Sequence, residues 1–390
     1  MSINLSKITS LLSIGTATFL MSSGAHAINF KVEDTEVDIY GYVKLDVIYD
    51  VDADLGNAIT RNKIRLDKTS GASGHTTMSA YESRLGFTTK TLVGDHLLKT
   101  NIEGDFYGSG GGNFRLRHAY GEWNGILAGQ TWSNFGNTIS LFPTVDFNGP
   151  LGQGGGRQSQ IRYTTGNFSY SLEDPKEGGK VSAKTNANDT AKFQLPDMTA
   201  RYQNNIGPVK FAAAGLARFL KYDAKGVNLA PNDENWGKDS AVGWGLMLEA
   251  QTNLTEKITL RGSVTHGDGI GGYLYLSPAA PGYVGNDGKI ETVKATGGGV
   301  SLSVATGPGS FNIGYGLTNT DLSGAVKKGG VTNTANSSPD ERYASTFINY
   351  IWSPINKITY GLEAGHHTLK KANGDKGDAI RLQGMVKYSF

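Results

Sequence analysis

From Val37 onward the chain alternates. Val37, Ile39, Gly41, Val43, Leu45 and Val47 fall on one parity, and Asp38, Tyr40, Tyr42, Lys44 and Asp46 fall on the other. Successive side chains of a strand point to opposite faces, so this pattern predicts a strand with one apolar and one polar face. A helical period would scatter the same charges around an axis. The end of the chain repeats the pattern: Ile380, Leu382, Gly384, Val386, Tyr388 and Phe390 share one face, and Arg381, Gln383, Met385, Lys387 and Ser389 share the other. Between these ends, similar segments lie near residues 78–90, 95–107, 113–124, 125–134, 158–166, 167–174, 196–204, 208–220, 240–253, 256–267, 290–305, 309–320, 342–353 and 356–369, the last strand being 378–390. With the first strand they total about 16.

The connections alternate in length. Gly166-Asn167, Asn204-Asn205-Ile206-Gly207, Asn253-Leu254-Thr255-Glu256 and Ser353-Pro354-Ile355-Asn356 carry turn chemistry. Long polar stretches at 51–76, 135–157, 175–195, 221–238, 268–289, 321–341 and 370–377 separate the same strands at the other end. Soluble strands usually run about 5–6 residues, whereas several of these pass ten, the span that a tilted membrane strand needs. A solenoid would show a fixed internal repeat, and none is present. Aromatics such as Tyr49, Phe106, Trp244 and Tyr388 stand near strand ends on the outward parity, where interfacial girdles lie. The predicted architecture is all-β: a 16-stranded antiparallel transmembrane β-barrel, its even strand number placing both ends on the periplasmic side. A terminal Phe390 at the outward parity resembles the ending of bacterial outer-membrane barrels.

Composition narrows the compartment. Met1 to Ala27 carries one early positive charge, Lys7, no acidic residue, an apolar stretch from Leu11 to Met21, and the small-residue exit Ala25-His26-Ala27. These are the parts of a cleaved export signal. The expected organisation is therefore a signal peptide over 1–27 and one barrel domain over 28–390. Mean hydropathy is −0.32, as expected where only alternate side chains meet lipid. The chain contains no cysteine, and a closed ladder needs no staples. Glycine occupies 54 of 390 positions, about twice the usual share. A net charge of +2 argues against a nucleic-acid partner.

Little in the chain supports bond-making chemistry. Gly267-Asp268-Gly269-Ile270-Gly271-Gly272 matches a dinucleotide fingerprint by letter, but Tyr273-Leu274-Tyr275 after it is no helix start, so it reads as a flexible outer loop. His366 and His367 are strand neighbours and point to opposite faces, which keeps them from sharing one ion. No G-x-S-x-G elbow appears. The expectation is a protein that is no enzyme and holds no cofactor or metal. The competing reading is an outer-membrane barrel with enzymatic or adhesive work at its extracellular rim.

Residues 113–166 carry the most specific signal. Arg117-His118-Ala119-Tyr120-Gly121-Glu122-Trp123 and Gly129-Gln130-Thr131-Trp132-Ser133-Asn134-Phe135 lead into a long loop through Asp146-Phe147-Asn148-Gly149-Pro150, which ends at Arg157-x-x-Gln160-Ile161-Arg162-Tyr163. Leu141, Phe142, Val145 and Phe147 want burial, which argues against a disordered loop; its place is that of the third outer loop, and resemblance to porins implies that it folds into the lumen and sets the narrowest point. Together with Gly41-Tyr42-Val43-Lys44-Leu45-Asp46 and Ser83-Arg84-Leu85-Gly86-Phe87, these runs resemble the DcaP-like porins from about residue 37 to the C-terminus. The resemblance implies a homotrimeric outer-membrane porin associated with small anions, dicarboxylates especially. Some members carry a periplasmic helical extension; the roughly ten residues between Ala27 and the first strand leave no room for one.

The expected function is diffusion of small hydrophilic solutes, with anions preferred. Parity sends Lys44, Arg84, Arg115, Arg117, Arg162 and Arg201 to the lumen, and Arg157 leaves the inward loop. A cluster of guanidiniums there would concentrate anions and match carboxylates through paired hydrogen bonds. Asp146 on the loop would supply an opposing wall. The competing role for these arginines is pairing with Glu103, Asp105 and Glu122, which stiffens the barrel. Expected partners are small anionic solutes, membrane lipid and lipopolysaccharide.

Overall fold

The computed structural model describes residues 28–183, 190–224 and 237–390; the export signal read over 1–27 lies outside them. The strands, in chain order, are β1 (Ile28–Val32), β2 (Thr35–Asp50), β3 (His75–Ser79), β4 (Arg84–Val93), β5 (His96–Gly108), β6 (Asn113–Trp123), β7 (Ile126–Trp132), β8 (Arg157–Thr165), β9 (Phe168–Glu173) and β10 (Asp197–Ile206). They continue with β11 (Val209–Asp223), β12 (Lys238–Asn253), β13 (Ile258–Asp268), β14 (Gly282–Val284), β15 (Ile290–Thr292), β16 (Lys294–Thr306), β17 (Gly309–Asp321), β18 (Asp340–Ile355), β19 (Ile358–Lys371) and β20 (Lys376–Ser389). One short helix, α1 (Ser323–Lys327), sits between β17 and β18.

Antiparallel pairing runs from strand to neighbouring strand and returns to its start, because β20 pairs β2 from Tyr42↔Ser389 to Asp50↔Arg381. The wall has 16 positions. β3 and β4 share one of them: β3 pairs the upper part of β2 and β4 the lower part. The single strand expected over 78–90 is thus interrupted at Ala80–Ser83. The interruption is held by Lys44, whose backbone N–H donates to Ser83 Oγ at 3.0 Å and whose Nζ reaches Glu82 at 2.5 Å. β14 and β15 form a separate two-stranded ribbon inside a loop.

Residues 28–32, which precede the first strand read from the sequence, form β1. It pairs β2 from Ile28↔Ile39 to Val32↔Thr35, below the last residue of β20. β1 and β20 therefore occupy the same side of β2, one beneath the other, and Phe390 N donates to Gly41 O at 3.1 Å between them.

The alternation sorts the faces as a membrane requires. Val43, Leu45, Leu246, Leu248, Ile348, Leu362 and Leu382 are exposed on the outside. The opposite parity is polar, and much of it is buried, Lys44, Asp105, Arg218, Glu249, Glu363 and Arg381 included. A water-filled cylinder would leave such groups wet; loops folded into the lumen cover them. At the other end of the wall the turns are tight. Asn124 and Gly125, both at positive φ (47° and 77°), join β6 to β7 in the two-residue form that matches strand twist.

Candidate functional site: the constriction of the lumen

The segment from Ser133 to Gly156, between β7 and β8, runs inside the barrel. Its backbone groups, taken out of water, find partners on the wall. Three carboxylates carried inward by strand parity supply most of them. Glu173 accepts from Asn134 N at 2.9 Å and from Ser133 Oγ at 2.7 Å. Glu249 accepts from the N–H groups of Thr138, Ile139 and Ser140 at 3.1, 2.8 and 2.8 Å. Glu363 accepts from Val145 N at 2.8 Å and Asp146 N at 2.9 Å, and Asn349 Nδ2 donates to the same carboxylate and to Pro143 O.

Apolar packing completes the attachment. Phe135 is fully buried among Ala214, Leu216, Met247, Ile270 and Tyr273. Leu151 lies against the inner face of β17 at Gly316, where an added Cβ would sit 2.6 Å from the Leu151 carbonyl oxygen. A bare backbone at that wall position is what lets the loop approach.

Two further loops turn inward beside it. Residues 268–289, expected to be a flexible outer loop, instead bury Ile270, Tyr273 and Leu274 completely. Gly155 N donates to Tyr273 O at 2.7 Å, and Tyr275 OH donates to Asn148 Oδ1 at 3.2 Å. The apolar run Ile270, Tyr273, Leu274, Leu276 was the signal for burial. Residues 51–74 likewise bury Leu55, Ile59 and Ile64 against Leu151, Tyr343 and Leu369. Arg61 in that loop donates to Ser345 Oγ at 2.9 Å and to Asn148 O at 3.3 Å. Burial pushes its guanidinium down to about 10.

The tip of the constriction loop reaches the wall of β5 and β6. Phe147 stacks on Tyr107 with centroids 4.3 Å apart, and Arg115 and Arg117 lie over its ring at 5.5 and 5.8 Å. A bulge opposite Glu103 and Gly104 leaves Arg117 as the extra residue in β6, which lets both Arg117 and the next residue, His118, sit on the inner side. Arg115 binds Asp105 through two hydrogen bonds, at 2.9 and 2.7 Å. Arg117 donates to Glu103 at 2.8 Å and to Asp105 at 2.9 Å. Arg84 lies 3.4 Å from Glu103.

Arg157 completes this group from the start of β8. Its guanidinium stands over the Trp132 ring at 5.1 Å, and Arg117 and Arg115 are the foremost charges acting on it. Among the described residues Arg157 makes no ion pair. Arg84, Arg115 and Arg117 share two carboxylates, Glu103 and Asp105, and with Arg157 beside them this is an excess of two positive charges at one side of the lumen. Arg84, Arg115 and Arg157 keep intermediate exposure, while Arg117 is buried.

The remaining candidates lie elsewhere. Arg162 is on the same strand as Arg157 but five residues further toward the turn, with Glu122 and Glu173 as its foremost opposite charges. Lys44 is buried, paired with Asp46 at 3.1 Å and Glu82 at 2.5 Å, and donates to Val145 O at 2.9 Å. Arg201 is buried on Glu249 at 2.5 Å. Asp146 is buried too: Arg381 donates to it at 2.8 Å, and Ile59 N at 3.2 Å. These three hold the loop to the wall, and Asp146 faces Arg381 and the backbone at Ile59. Strand parity sends the carboxylates Glu173, Glu249 and Glu363 to the lumen and Phe147 reads as wanting burial, but their part in holding the loop was not read from sequence. Their signal was an acidic residue at inward parity opposite a loop rich in unpaired N–H groups.

The profile of the DcaP outer membrane protein family matches residues 21–278. Among solved structures the chain is similar to the outer membrane channel DcaP of Acinetobacter baumannii, at 25% identity and a TM-score of 0.75, over 93% of this chain and 99% of that one. It shares the fold of the anion-selective porin from Comamonas acidovorans, at 12% identity and a TM-score of 0.57, over 91% and 100% of the two chains. It also shares the fold of the trimer form of OmpT, an outer membrane protein of Vibrio cholerae, at 10% identity and a TM-score of 0.51, over 92% and 100%. No curated protein sequence matches. A closed 16-stranded wall, a loop stapled across its lumen and this family match lead to one conclusion: the chain belongs to the DcaP outer membrane protein family and is a porin of the Gram-negative outer membrane.

Proposed function

We propose that the channel passes small hydrophilic solutes down their gradients and favours small organic anions, dicarboxylates especially. The observation that carries this reading is Arg157. It is a half-buried guanidinium without an ion pair among the described residues, beside Arg115 and Arg117, whose carboxylate partners are outnumbered. Such an excess raises the local concentration of anions and lowers their barrier at the narrowest level. A guanidinium also takes a carboxylate through two parallel hydrogen bonds, so a solute with two carboxylates can engage Arg157 and Arg115 together. No bond is made or broken in this work, and no cofactor takes part. The test is the reversal potential across a planar bilayer in a salt gradient. Arg157→Gln with Arg115→Gln should lower the anion-to-cation permeability ratio and weaken block by a dicarboxylate. An unchanged reversal potential at normal conductance would overturn the reading.

The same reading includes a homotrimer, and a face for its contact. β7 and β9 have 7 and 6 residues, against 16 in β18. At about 3.3 Å per residue and a tilt near 40°, six residues rise roughly 15 Å, short of the ~25 Å apolar band. A low wall of this kind needs cover from protein. On its outer side Ile161, Tyr163, Tyr170, Leu172, Met198 and Gly215 line a groove of about 650 Å³, which a second copy would fill.

A further inference from the structure

The outer face of β18, β19 and β20 carries an arrangement that the channel does not use. Arg342, Lys370 and Lys376 are cross-strand partners in one row: Arg342 is opposite Lys370, and Lys370 is opposite Lys376. All three are exposed, and each shares the parity of exposed apolar residues lower on its own strand, Ile348, Leu362 and Leu382. They therefore point outward, at the loop end of the wall. Neighbouring strands are about 4.8 Å apart, and like charges directly opposite are destabilising. The local countercharge is partial. Glu341 takes Lys370 at 2.8 Å, while Asp378, two residues below Lys376, is engaged by His366 at 3.0 Å. Lys371 pairs with Asp340, and Lys68, from the loop above, pairs with Asp375. Among the described residues Arg342 has only the neutral Asn319 Oδ1 at 2.9 Å, and Lys376 has no ion pair.

The height of the row is informative. Ile380, exposed on β20, is four residues below Lys376, which places the cations roughly 10 Å above the last apolar side chain along the membrane normal. Lys and Arg side chains span that interval, the layer of lipid headgroups. We infer that the row Arg342–Lys370–Lys376 binds a phosphate-bearing lipid headgroup of the outer leaflet. One phosphate group between Arg342 and Lys376 supplies the missing negative charge and accepts from the guanidinium through two oxygens. The face is open to lipid in the assembly proposed above, on which this step rests: β19 is eight strands from β9 in either direction round the wall.

The experiment uses the full-length protein purified in mild detergent and native mass spectrometry with added lipid A, in its bisphosphorylated and its dephosphorylated form. Wild type should retain the bisphosphorylated lipid at least tenfold more than the Arg342→Gln, Lys370→Gln, Lys376→Gln triple variant, and the dephosphorylated lipid should not distinguish the two proteins. Single-channel conductance should be the same in both, so a failure of the anion-preference reading leaves this test standing. Should the triple variant not assemble, Lys376→Gln alone is expected to reduce retention about threefold. Equal retention of the bisphosphorylated lipid by wild type and variant would sink the proposal. So would its displacement by millimolar inorganic phosphate, which would mark a free-anion site. Loss of subunit association in the variant with lipid retention unchanged would make the row a protein contact and likewise overturn it.

Discussion

Arg201 and Glu249 meet at 2.5 Å on the inner wall, and the carboxylate they share with the constriction loop also accepts the N–H groups of Thr138, Ile139 and Ser140. One side chain thus ends three backbone donors and one guanidinium. Removing one partner of a buried pair is far more damaging than the pair is worth, because the other charge is stranded. Glu249→Ala is expected to destabilise the protein by about 3–5 kcal/mol and to release the loop at this point. The check is a planar bilayer recording, where the variant should show larger and noisier unitary conductance than wild type. A quiet trace of wild-type amplitude would mean the loop is held by its other contacts.

Gly316 offers the complementary test, adding atoms in place of removing them. An alanine Cβ there meets the backbone oxygen of Leu151 at 2.6 Å and its nitrogen at 2.9 Å, so the loop must move. Overpacking of this kind costs about 1–3 kcal/mol. Gly316→Ala should alter single-channel conductance while the barrel still migrates as a folded, heat-modifiable species. Conductance indistinguishable from wild type would show that the loop adjusts without narrowing or widening the lumen.

The lipid-facing parity predicts depth-dependent penalties. Leu382 is 46% exposed on the outer face of β20, and Arg at such a position near the midplane costs about 2–4 kcal/mol. Leu382→Arg should lower folding stability in lipid vesicles by that amount, read from denaturant titrations. Equal midpoints for the two proteins would place this residue away from the hydrocarbon.

Assembly can be separated from folding at Gly215. It lies in the outer groove, and nothing stands within 4 Å of an added Cβ, so a large side chain there has room within one subunit. Gly215→Trp is expected to shift the species measured by light scattering from trimer to monomer while conductance per channel persists. A stable trimer carrying the tryptophan would move the subunit contact to another face.

How far the chain could be read in advance depended on range. Alternation along β2 and β20 was legible because period two needs no knowledge of a partner strand, and Gly166-Asn167 marked a turn for the same local reason. β1 was missed since Ile28–Val32 looks like any short linker until its pairing with β2 is known. The break between β3 and β4 was missed although the parity slips there: Met78 and Leu85, an odd number of residues apart, both face outward. At the constriction, parity correctly sent Lys44, Arg84 and Arg115 inward, yet parity says nothing about what meets a side chain there. Lys44 is consumed by distant Glu82 as well as by its strand neighbour Asp46, Arg201 is consumed by distant Glu249, and among the described residues Arg157 is left without an ion pair. Burial of 268–289 was masked by its glycines, which read as mobility although Tyr273 and Leu274 beside them required cover.

The meeting of β2 with β20 has a consequence for biogenesis. Every other neighbouring pair in the wall joins strands adjacent along the chain, so those hairpins can form as the polypeptide is delivered. The seam cannot: Tyr42 waits for Ser389, and the ladder between them needs the last residues to arrive. Until then the protein is an open, twisted sheet whose two outermost strands present unsatisfied amide and carbonyl rows, a surface that would recruit any other unclosed copy. A chain that lost only its final strand would remain in that state permanently, with fifteen correct wall strands and no way to shield either margin.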